Sequence, residues 1–237
     1  MQDTQMKRLG LVVAGTDTGV GKTTVTRGML RALVLRVVNP TPYKPVETGV
    51  LDPDQSDAAA LRQAARATAS LQRVCPFFLR LPVAPVVAAR DEGIELSVAA
   101  LCNAQPPYTG GPLIVESAGG ILSPISRYET NADLVVALDF PVLLVGRNSL
   151  GTINHCALAV RELRQRRLQL AALVLVNVSP PGPDGSTNAS CIADLCGVTA
   201  SLVMPFLPAA SDDELALQVL SSPNLVALMD TLEKSPG

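Results

Sequence analysis

Short, unbroken apolar runs alternate with segments of helical periodicity along this chain. The runs are rich in Val, Leu and Ile, and they cover residues 9–14, 113–116, 142–145 and 170–176. Because apolar side chains follow one another without alternation, these runs predict strands that are buried on both faces, as in a parallel sheet. Between and after them, apolar positions recur with a helical period near residues 22–35, 56–67, 95–103, 151–167 and 188–196. A weaker strand is predicted at 35–39.

This order of elements predicts an α/β fold, with a single doubly wound, mostly parallel sheet and helices on both of its faces. We expect one domain over residues 1–237, with flexible ends at 1–7 and about 233–237. Clusters of Pro and Gly at 105–112 and 179–185 are expected to form surface loops. In such sheets, ligands bind beyond the carboxyl ends of the strands.

Composition narrows the classes of function. Over 237 residues the net charge is −2, so no basic surface points to nucleic acid. No apolar stretch approaches the roughly 20 residues of a membrane span, and the N-terminus lacks the apolar region of a signal peptide. Five cysteines without a Cys-x-x-Cys pair, together with a single histidine, argue against a zinc site or a disulfide framework. We therefore expect a cytoplasmic enzyme that binds neither membrane nor nucleic acid.

The strongest chemical signal is the segment Gly-Thr-Asp-Thr-Gly-Val-Gly-Lys-Thr at 15–23, between the first predicted strand and the first predicted helix. Its glycines allow a tight turn whose N–H groups point at phosphate oxygens, and the helix N-terminus behind the turn favours an anion. Lys22 supplies a positive charge for the β and γ phosphates, and the Thr23 hydroxyl suits Mg²⁺. Five residues separate Gly15 from Gly21, where the usual motif has about four. The segment predicts a nucleotide-binding P-loop.

Two further charged residues lie near predicted strand ends. Lys44 precedes a proline, which favours extended backbone, and a second fixed cation near the P-loop would stabilise a transferring phosphoryl group. The alternative for Lys44 is a solvated surface lysine. Glu116 ends a buried strand and precedes small residues, where a nucleotide enzyme would hold Mg²⁺. The alternative for Glu116 is a paired structural carboxylate.

Two predicted helix starts add weaker candidates. Asp57 opens a helix, so it is either a helix cap or a ligand of ATP or of metal-bound water. The segment 146–155 leads from a strand into a helix, and free N–H groups at 151–154 could bind a substrate carboxylate. His155 invites a general-base role, but a lone histidine in the first turn of a helix is more often structural.

Five motifs, taken together and in this order, resemble the dethiobiotin synthetase family. They lie between about residue 9 and about residue 208 and read Gly-Thr-Asp-Thr-Gly-Val-Gly-Lys-Thr (15–23), Tyr-Lys-Pro-Val-Glu-Thr-Gly (43–49), Ser-Asp-Ala (56–58), Val-Glu-Ser-Ala-Gly-Gly (115–120) and Leu-Gly-Thr-Ile-Asn-His (150–155). The longer spacing within the P-loop is also the form found in that family. The resemblance implies a P-loop NTPase-like fold, ATP and Mg²⁺ as cofactors, and a homodimer.

The resemblance also implies a reaction. One amine of 7,8-diaminononanoate captures CO₂, supplied with bicarbonate, as a carbamate. The carbamate attacks the γ-phosphate of ATP to give a carbamic–phosphoric anhydride. The second amine then closes the ureido ring and expels phosphate. Such chemistry requires concentrated positive charge more than a general base.

By the same resemblance, Lys44, Lys22 and Thr48 are catalytic, and Thr48 contacts the substrate or its carbamate. The metal ligands would be Thr23, Asp57 and Glu116. The nucleotide would be bound by Gly19, Val20, Gly21, Lys22, Thr23, Thr24, Asp57, Glu116, Ser117, Ala118, Gly119, Asn177, Pro205, Phe206, Leu207 and Asp212. The substrate would be bound by Thr48 and by a turn of the second subunit, Leu150, Gly151, Thr152, Ile153 and Asn154.

Two departures and two rival functions accompany this interpretation. The segment Val-Ala-Pro-Val at 83–86 stands where many family members have Ser-Pro-His, which replaces polar side chains there by apolar ones. Ser117 stands where many family members have glycine, which adds a side chain close to the nucleotide or the substrate. A ParA/MinD-like ATPase switch would keep the fold, but those proteins have a lysine at the position of Asp17. A cobyrinate-type ATP-dependent amide ligase would be expected to carry an additional glutaminase domain.

Overall fold

Strands and helices alternate along the protein, of which this computed structural model describes residues 9–180 and 182–233. The strands are β1 (Gly10–Gly15), β2 (Thr41–Tyr43), β3 (Val46–Thr48), β4 (Phe77–Leu79), β5 (Leu113–Gly120), β6 (Val142–Arg147), β7 (Leu170–Val176) and β8 (Leu202–Met204). The helices are α1 (Lys22–Leu35), α2 (Asp57–Ala64), α3 (Leu71–Val74), α4 (Pro85–Asp91), α5 (Val98–Asn103), α6 (Asn131–Leu138), α7 (Thr152–Gln165), α8 (Asn188–Cys196), α9 (Asp212–Leu220) and α10 (Pro223–Glu233).

Six strands form the main sheet in the order β2-β5-β1-β6-β7-β8, and every neighbouring pair is parallel. The chain leaves the central strand β1 for β2 and β5 on one side, and then crosses to β6, β7 and β8 on the other. The strand order therefore reverses beside β1, which is where open α/β sheets bind ligands. The predicted parallel, doubly wound sheet is confirmed.

The main sheet has a hydrophobic cluster on each face. In β1, Val12 and Ala14 belong to one cluster, whereas Leu11 and Val13 belong to the other. Helices α4 to α8 cover the first face, and α1, α2, α9 and α10 cover the second. Because both faces are covered, apolar residues need not alternate with polar ones, which explains the unbroken runs of the sequence.

A short parallel pair of strands, β3 and β4, lies beside the main sheet. Its residues Val46 and Leu79 are buried in the same cluster as Val12 and Ala14 of the main sheet. The connection from β2 to β3 contains only Lys44 and Pro45, so Lys44 is held between two strands.

The weaker strand predicted at 35–39 is wrong, because α1 continues to Leu35 and the edge strand is β2, at Thr41–Tyr43. Between them the chain makes a turn, in which Val37 has a left-handed φ of 63° and the Val38 N–H donates to the Leu33 carbonyl. Val37 is β-branched and so contributed to a strand-like pattern. It is 94% exposed, however, and does not belong to a strand.

The other predicted elements are present, three with the predicted bounds and the rest with shifted ends. The elements at 22–35, 170–176 and 188–196 match α1, β7 and α8, whereas α2, α5 and α7 are shorter than the patterns at 56–67, 95–103 and 151–167. Strand β5 continues past Glu116 to Gly120, and its register with β1 shifts between Glu116 and Gly120.

The expected flexible ends lie outside the described residues, except that Glu233 is described as the last residue of α10. Its carboxylate forms an ion pair with Arg36. Within residues 9–180 and 182–233, no single helix is long and apolar enough to cross a membrane; only α9 and α10 taken together, bent by 101°, reach that length and composition.

Candidate functional site

The P-loop joins β1 to α1 and turns at two glycines with left-handed backbone. Gly19 has a φ of 69° and Gly21 a φ of 97°, a region that L side chains rarely adopt. A Cβ atom on Gly21 would also approach Val176 Cγ1 to 2.8 Å. No side chain in the described part of the chain caps α1, so the N–H groups of its first turn face the loop without a side-chain acceptor. This arrangement suits an anion.

Lys22 is the first residue of α1, and its side chain turns back over the loop. Its ammonium group, Nζ, donates a hydrogen bond to the carbonyl oxygen of Asp17 at 3.0 Å. Burial lowers the pKa of Lys22 from its ordinary value of 10.5 to about 8, and the nearby carboxylate of Glu116 opposes this change. An anionic ligand in the loop would favour the charged form of Lys22.

Lys44 reaches the same place from the end of β2, although it is only 4% exposed. Its ammonium group donates to Oδ2 of Asp57 at 2.9 Å and to Oε1 of Glu116. Burial alone would lower the pKa of Lys44, but the carboxylates of Glu116 and Asp57 outweigh burial and raise this pKa above its usual value. The side chain is therefore a buried, charged group and not the solvated surface lysine of the alternative interpretation.

Glu116 lies at the centre of the site and is 0% exposed. One oxygen, Oε1, accepts hydrogen bonds from Lys44 and from the Thr23 hydroxyl, the latter at 2.9 Å. The other oxygen, Oε2, is buried and has no hydrogen-bond partner in the described structure. A buried carboxylate oxygen without a donor is unfavourable, so a cation or a further donor at Oε2 would be stabilising.

Glu47 is a functional candidate that the sequence analysis missed. Its carboxylate accepts hydrogen bonds from the backbone N–H groups of Asp57, at 2.8 Å, and of Ala58, at 3.0 Å. It thereby fixes the start of α2 and the position of Asp57, while burial raises the pKa of Glu47. The sequence could have indicated Glu47, because it is an acidic residue in the same motif as Lys44, three residues further on.

These groups line one cavity of about 440 Å³ at the carboxyl ends of β1, β2 and β5. The cavity brings together most of the phosphate, metal and catalytic residues expected from the sequence: Gly19, Gly21, Lys22, Thr23, Thr24, Lys44, Thr48, Asp57, Glu116, Ser117, Ala118 and Gly119. Thr18 and Val178 also line it and were missed. The Val20 side chain instead packs into the core beneath α1, so only its backbone is left to meet a ligand.

The residues expected around the adenine do not line this cavity. The side-chain oxygen of Asn177 accepts a hydrogen bond from the Asn148 amide at 2.9 Å. Asp212 opens α9 and forms an ion pair with Arg27 at 2.7 Å. The segment Pro205, Phe206 and Leu207 follows β8, which β6 and β7 separate from β1.

The turn expected to bind a substrate carboxylate does not line the cavity, although it borders the P-loop, because Thr16, Asp17 and Val20 line the same hollow as this turn. Leu150, Thr152 and His155 line a separate hollow of about 130 Å³ together with Arg147. Leu150 is 90% exposed, which is unusual for a large apolar side chain. Within one chain, the structure does not bring this turn, including Gly151, Ile153 and Asn154, into the cavity of Lys44.

The donor set of the cavity fits Mg²⁺ only in part. No group of three or more His, Cys, Asp and Glu side chains among the described residues is arranged to hold a metal by itself. Nucleotide-bound Mg²⁺ needs fewer protein ligands, because phosphates and water supply the rest. The Thr23 hydroxyl and the unpaired Oε2 of Glu116 are the hard oxygen donors that such an ion takes.

Comparison with known proteins identifies the structural class to which this protein belongs. A family model described as an AAA domain matches residues 9–213. The crystal structure of a ParA family ATPase from Chlorobium tepidum TLS superposes with a TM-score of 0.53 over 97% of this chain and 96% of that chain, at 13% identity. The fold and the cavity together define a P-loop NTPase-like α/β protein.

Curated relatives narrow the class to one family. ATP-dependent dethiobiotin synthetase BioD of Anaeromyxobacter dehalogenans (strain 2CP-C) is 40% identical over 84% of this chain and 91% of its own. The enzymes of the same name from Bacillus licheniformis and Thermodesulfovibrio yellowstonii are 33% and 31% identical, each over 94% of this chain and 97% and 99% of their own. The chain belongs to the dethiobiotin synthetase family.

Proposed function

We propose that this protein is an ATP-dependent dethiobiotin synthetase. It joins CO₂ to 7,8-diaminononanoate, closes the ureido ring, and releases ADP and phosphate. The observation that carries the proposal is the meeting of Lys22, Lys44 and Glu116 in one cavity of a chain that belongs to this family. Two ammonium groups beside a phosphate-binding turn suit a reaction in which one anion, the carbamate, must approach another, the triphosphate.

In this proposal the P-loop binds the phosphates. Backbone N–H groups from Gly19 to Thr24 and the start of α1 face the phosphate oxygens, because glycine backbone and an uncapped helix leave those groups without other acceptors. Lys22 exchanges its hydrogen bond to the Asp17 carbonyl for a phosphate oxygen. The small residues Ala118 and Gly119 allow close approach of the nucleotide on the β5 side.

Thr23, Glu116 and Asp57 would hold Mg²⁺ in the same proposal. The support is the Thr23–Glu116 hydrogen bond, the unpaired Oε2 of Glu116, and the partly exposed carboxylate of Asp57 at the cavity. When bound, the ion supplies positive charge that neutralises the phosphates during transfer. Glu47 would keep Asp57 in place through the backbone of α2.

Lys44 would stabilise the carbamate and the transferring phosphoryl group. Its ammonium group contacts Glu116 and Asp57 and would supply positive charge beside the substrate anion. The attack on the γ-phosphate needs no general base, because the attacking oxygen of a carbamate is already an anion; the protons released by the two amines, in carbamate formation and in ring closure, pass to solvent or to the departing phosphate. His155 lies in the separate hollow with Arg147, and we propose no catalytic role for it.

The diamine would bind beside Thr48, and the turn Leu150–Asn154 of a second subunit would bind its carboxylate. The support is twofold: this turn does not line the cavity of Lys44 within one chain, and the Leu150 side chain is 90% exposed. A homodimer would complete the site and cover Leu150. The adenine would lie toward Asn177, the segment 205–207 and Asp212, at the far end of the P-loop.

The proposal is tested by incubating purified protein with the diamine, bicarbonate, Mg²⁺ and ATP and searching for the cyclic urea by mass spectrometry. We expect one cyclic urea for each ADP formed, and none from a Lys44→Met variant. ATP hydrolysis without any cyclic urea would instead indicate an ATPase switch.

A further inference from the structure

Three asparagine side chains form a hydrogen-bonded network near the P-loop. Asn148 and Asn188 are only 6% and 3% exposed, whereas Asn177 is partly exposed. Nδ2 of Asn148 donates to Oδ1 of Asn177 at 2.9 Å, and Nδ2 of Asn188 donates to Oδ1 of Asn148 at 3.0 Å. The three residues follow β6, follow β7 and begin α8, so the network joins separate elements. Of its members, only Asn177 has a role in the function proposed above.

Backbone carbonyl groups fix the orientation of these amides. Nδ2 of Asn148 also donates to the Gly185 carbonyl at 3.1 Å, and Nδ2 of Asn188 faces the Ser149 carbonyl at 3.5 Å. Because a carbonyl oxygen can only accept a hydrogen bond, the NH₂ of each amide must face it. The same NH₂ of Asn148 meets Asn177, so Asn177 must present its oxygen to Asn148. The NH₂ of Asn177 is therefore left as a donor outside the network.

Asn177 lies beside the phosphate site. The preceding residue, Val176, is so close to Gly21 of the P-loop that a Cβ atom on Gly21 would come within 2.8 Å of it. The following residue, Val178, lines the cavity of Lys44. A nucleotide held by the P-loop therefore passes close to the end of β7.

The strand order indicates which part of the nucleotide reaches Asn177. Lys44 and Glu116, which would act on the terminal phosphate, lie on β2 and β5, whereas β1 and β6 separate β5 from β7. Neighbouring strands are about 4.8 Å apart, so β7 lies roughly 14 Å from β5. The terminal phosphate and the substrate occupy the β2–β5 side, and the base lies at the opposite end of the nucleotide.

We propose that Asn148 is a positioning residue for the base: it holds the Asn177 amide so that its NH₂ donates a hydrogen bond to a ring nitrogen of the purine. Ring nitrogens of adenine accept hydrogen bonds, and a donor that cannot turn away favours a base with an acceptor at that place. The inference rests on the proposed function for the presence of ATP in this cavity. It adds the polarity of the base contact and a residue that sets this polarity.

The test compares ATP with 1-deaza-ATP, 3-deaza-ATP and 7-deaza-ATP, each of which replaces one ring nitrogen by C–H. Titration calorimetry without the diamine measures the four dissociation constants. We expect one analogue to bind the wild-type protein about three- to tenfold more weakly than ATP, because it loses one hydrogen bond. Equal affinities for all four nucleotides would overturn the inference.

Asn177→Asp separates the two ends of the Asn177 side chain. The variant keeps an oxygen that can accept from Asn148 but loses the NH₂ group, so it should keep its melting temperature and bind ATP and the discriminating analogue equally. Its added charge repels both nucleotides alike, so the ratio of their affinities reports the hydrogen bond alone.

Three results with Asn177→Asp would contradict the inference. A clear loss of thermal stability would mean that the NH₂ of Asn177, and not its oxygen, faces Asn148. An undiminished preference for ATP would assign the ring nitrogen to another donor. A raised KM for the diamine, with the preference for ATP unchanged, would place the substrate at Asn177.

Asn148→Ala tests the positioning role itself. Without Asn148 the Asn177 amide can rotate, so the preference for ATP should fall to about twofold or less, while the melting temperature falls because hydrogen bonds are lost. Ser222→Ala is the control, because its buried hydroxyl donates to the Ser201 carbonyl at 2.6 Å and accepts from the Leu225 N–H. This control should lose thermal stability and keep the full preference. The same full preference in Asn148→Ala would overturn the positioning role.

Failure of this inference and failure of the proposed function are distinguishable. The calorimetric comparison needs no diamine, so it reports base recognition whether or not cyclic urea is formed. A wild-type protein that forms no cyclic urea would contradict the proposed function alone.

Discussion

At the scale of single residues, the electrostatic balance of the site depends on Lys44 and Glu116. Each is almost completely buried, and each has the other as an ionic partner. A buried ion pair adds little net stability, but removal of one partner leaves an uncompensated buried charge. Loss of either partner is therefore expected to lower stability, separately from any role of the pair in the reaction.

Lys44→Met should destabilise the protein and abolish turnover. The Glu116 carboxylate would lose its cation, which costs about 3–5 kcal/mol in the free energy of unfolding. Urea unfolding of Lys44→Met and of the double variant Lys44→Met/Glu116→Gln checks this, because the double variant removes both charges. We expect the double variant to recover most of the stability and none of the activity. Equal stability of wild type and Lys44→Met would contradict the buried pair.

ATP binding should weaken as the pH rises above 8. Burial lowers the pKa of Lys22 to about 8 in the empty site, and bound phosphates favour its charged form. Below pH 8 the cation is already present; above it, binding must take up a proton, so affinity falls by up to about tenfold per pH unit. Titration calorimetry on both sides of pH 8 measures this slope. Lys22→Met should bind weakly with no such slope, and the same slope in that variant would assign the proton to another group.

Without ATP, Lys22 should make the free energy of unfolding increase as the pH rises, whereas it makes the affinity for ATP decrease. The folded-state pKa of Lys22, about 8, lies below the ordinary 10.5, so the unfolded chain binds more protons between these values. Lys22 thus makes stability rise with pH across that window.

For single residues, the sequence predicted which side chains form the site, but it did not predict which of them pair with one another. The types and spacing of Lys22, Thr23 and Glu116 predicted phosphate and metal chemistry, because few other functions need them together. The ion pair of Lys44 with Asp57 and Glu116 depends on distances between separate strands, which spacing along the chain does not encode.

At the scale of elements, the junction of β1, the P-loop and α1 determines the shape of the phosphate site. Gly21 is the residue before α1, and its left-handed backbone is pressed against Val176 of β7. The turn is therefore fixed both by backbone conformation and by packing against a neighbouring strand.

Gly21→Ala should impair both stability and nucleotide binding. The left-handed backbone costs an alanine about 1–2 kcal/mol, and the contact of its Cβ with Val176 adds to this cost. Gly110→Ala is the control, because Gly110 has a similar φ of 93° and no atom within 4 Å of an added Cβ. Thermal unfolding should show a larger loss for Gly21→Ala, and only this variant should lose ATP affinity. Equal losses would mean that packing against Val176 is unimportant.

Element prediction succeeded where burial on both faces left an unbroken apolar run. Strands β1, β6 and β7 are such cases, and helix α1 has clear periodicity. Strands β3, β4 and β8 have only three residues each, which is too short for a pattern to show. Strand β5 was cut short at Glu116 because its last residues are small or polar and follow a register shift.

At the scale of the whole molecule, a single chain does not bring its proposed carboxylate-binding turn into its proposed catalytic cavity. The hollow beside Leu150 is separate from the cavity of Lys44. In the proposed homodimer, the partner chain would bring its own turn to the cavity and would bury the exposed side chain of Leu150.

Leu150→Asp should weaken this dimer and raise the KM for the diamine, with the KM for ATP unchanged. Burial of a leucine contributes about 1.5–3 kcal/mol, so the dimer dissociation constant should rise about tenfold or more. Sedimentation velocity at several concentrations measures this change. Val37→Asp is the control, because Val37 is equally exposed but follows the far end of α1. A monomeric wild type that is fully active would contradict the shared site.

The doubly wound architecture could be predicted from the sequence, whereas assembly could not. Alternating strands and helices leave few topologies once crossovers are right-handed and strands are parallel. The separation of the turn 150–154 from Lys44 depends on how the loops at the sheet edge fold, and local patterns carry no information on that distance.

In the proposed reaction, this cavity directs the terminal phosphate of ATP to a carbamate. The most direct measurement supplies ¹⁸O-labelled bicarbonate and analyses the released phosphate by mass spectrometry. If the carbamate oxygen attacks the γ-phosphate and ring closure then expels phosphate, each phosphate carries one oxygen from the labelled carboxyl group. Phosphate without that label, formed at the same rate, would show that water is the nucleophile and would contradict the account.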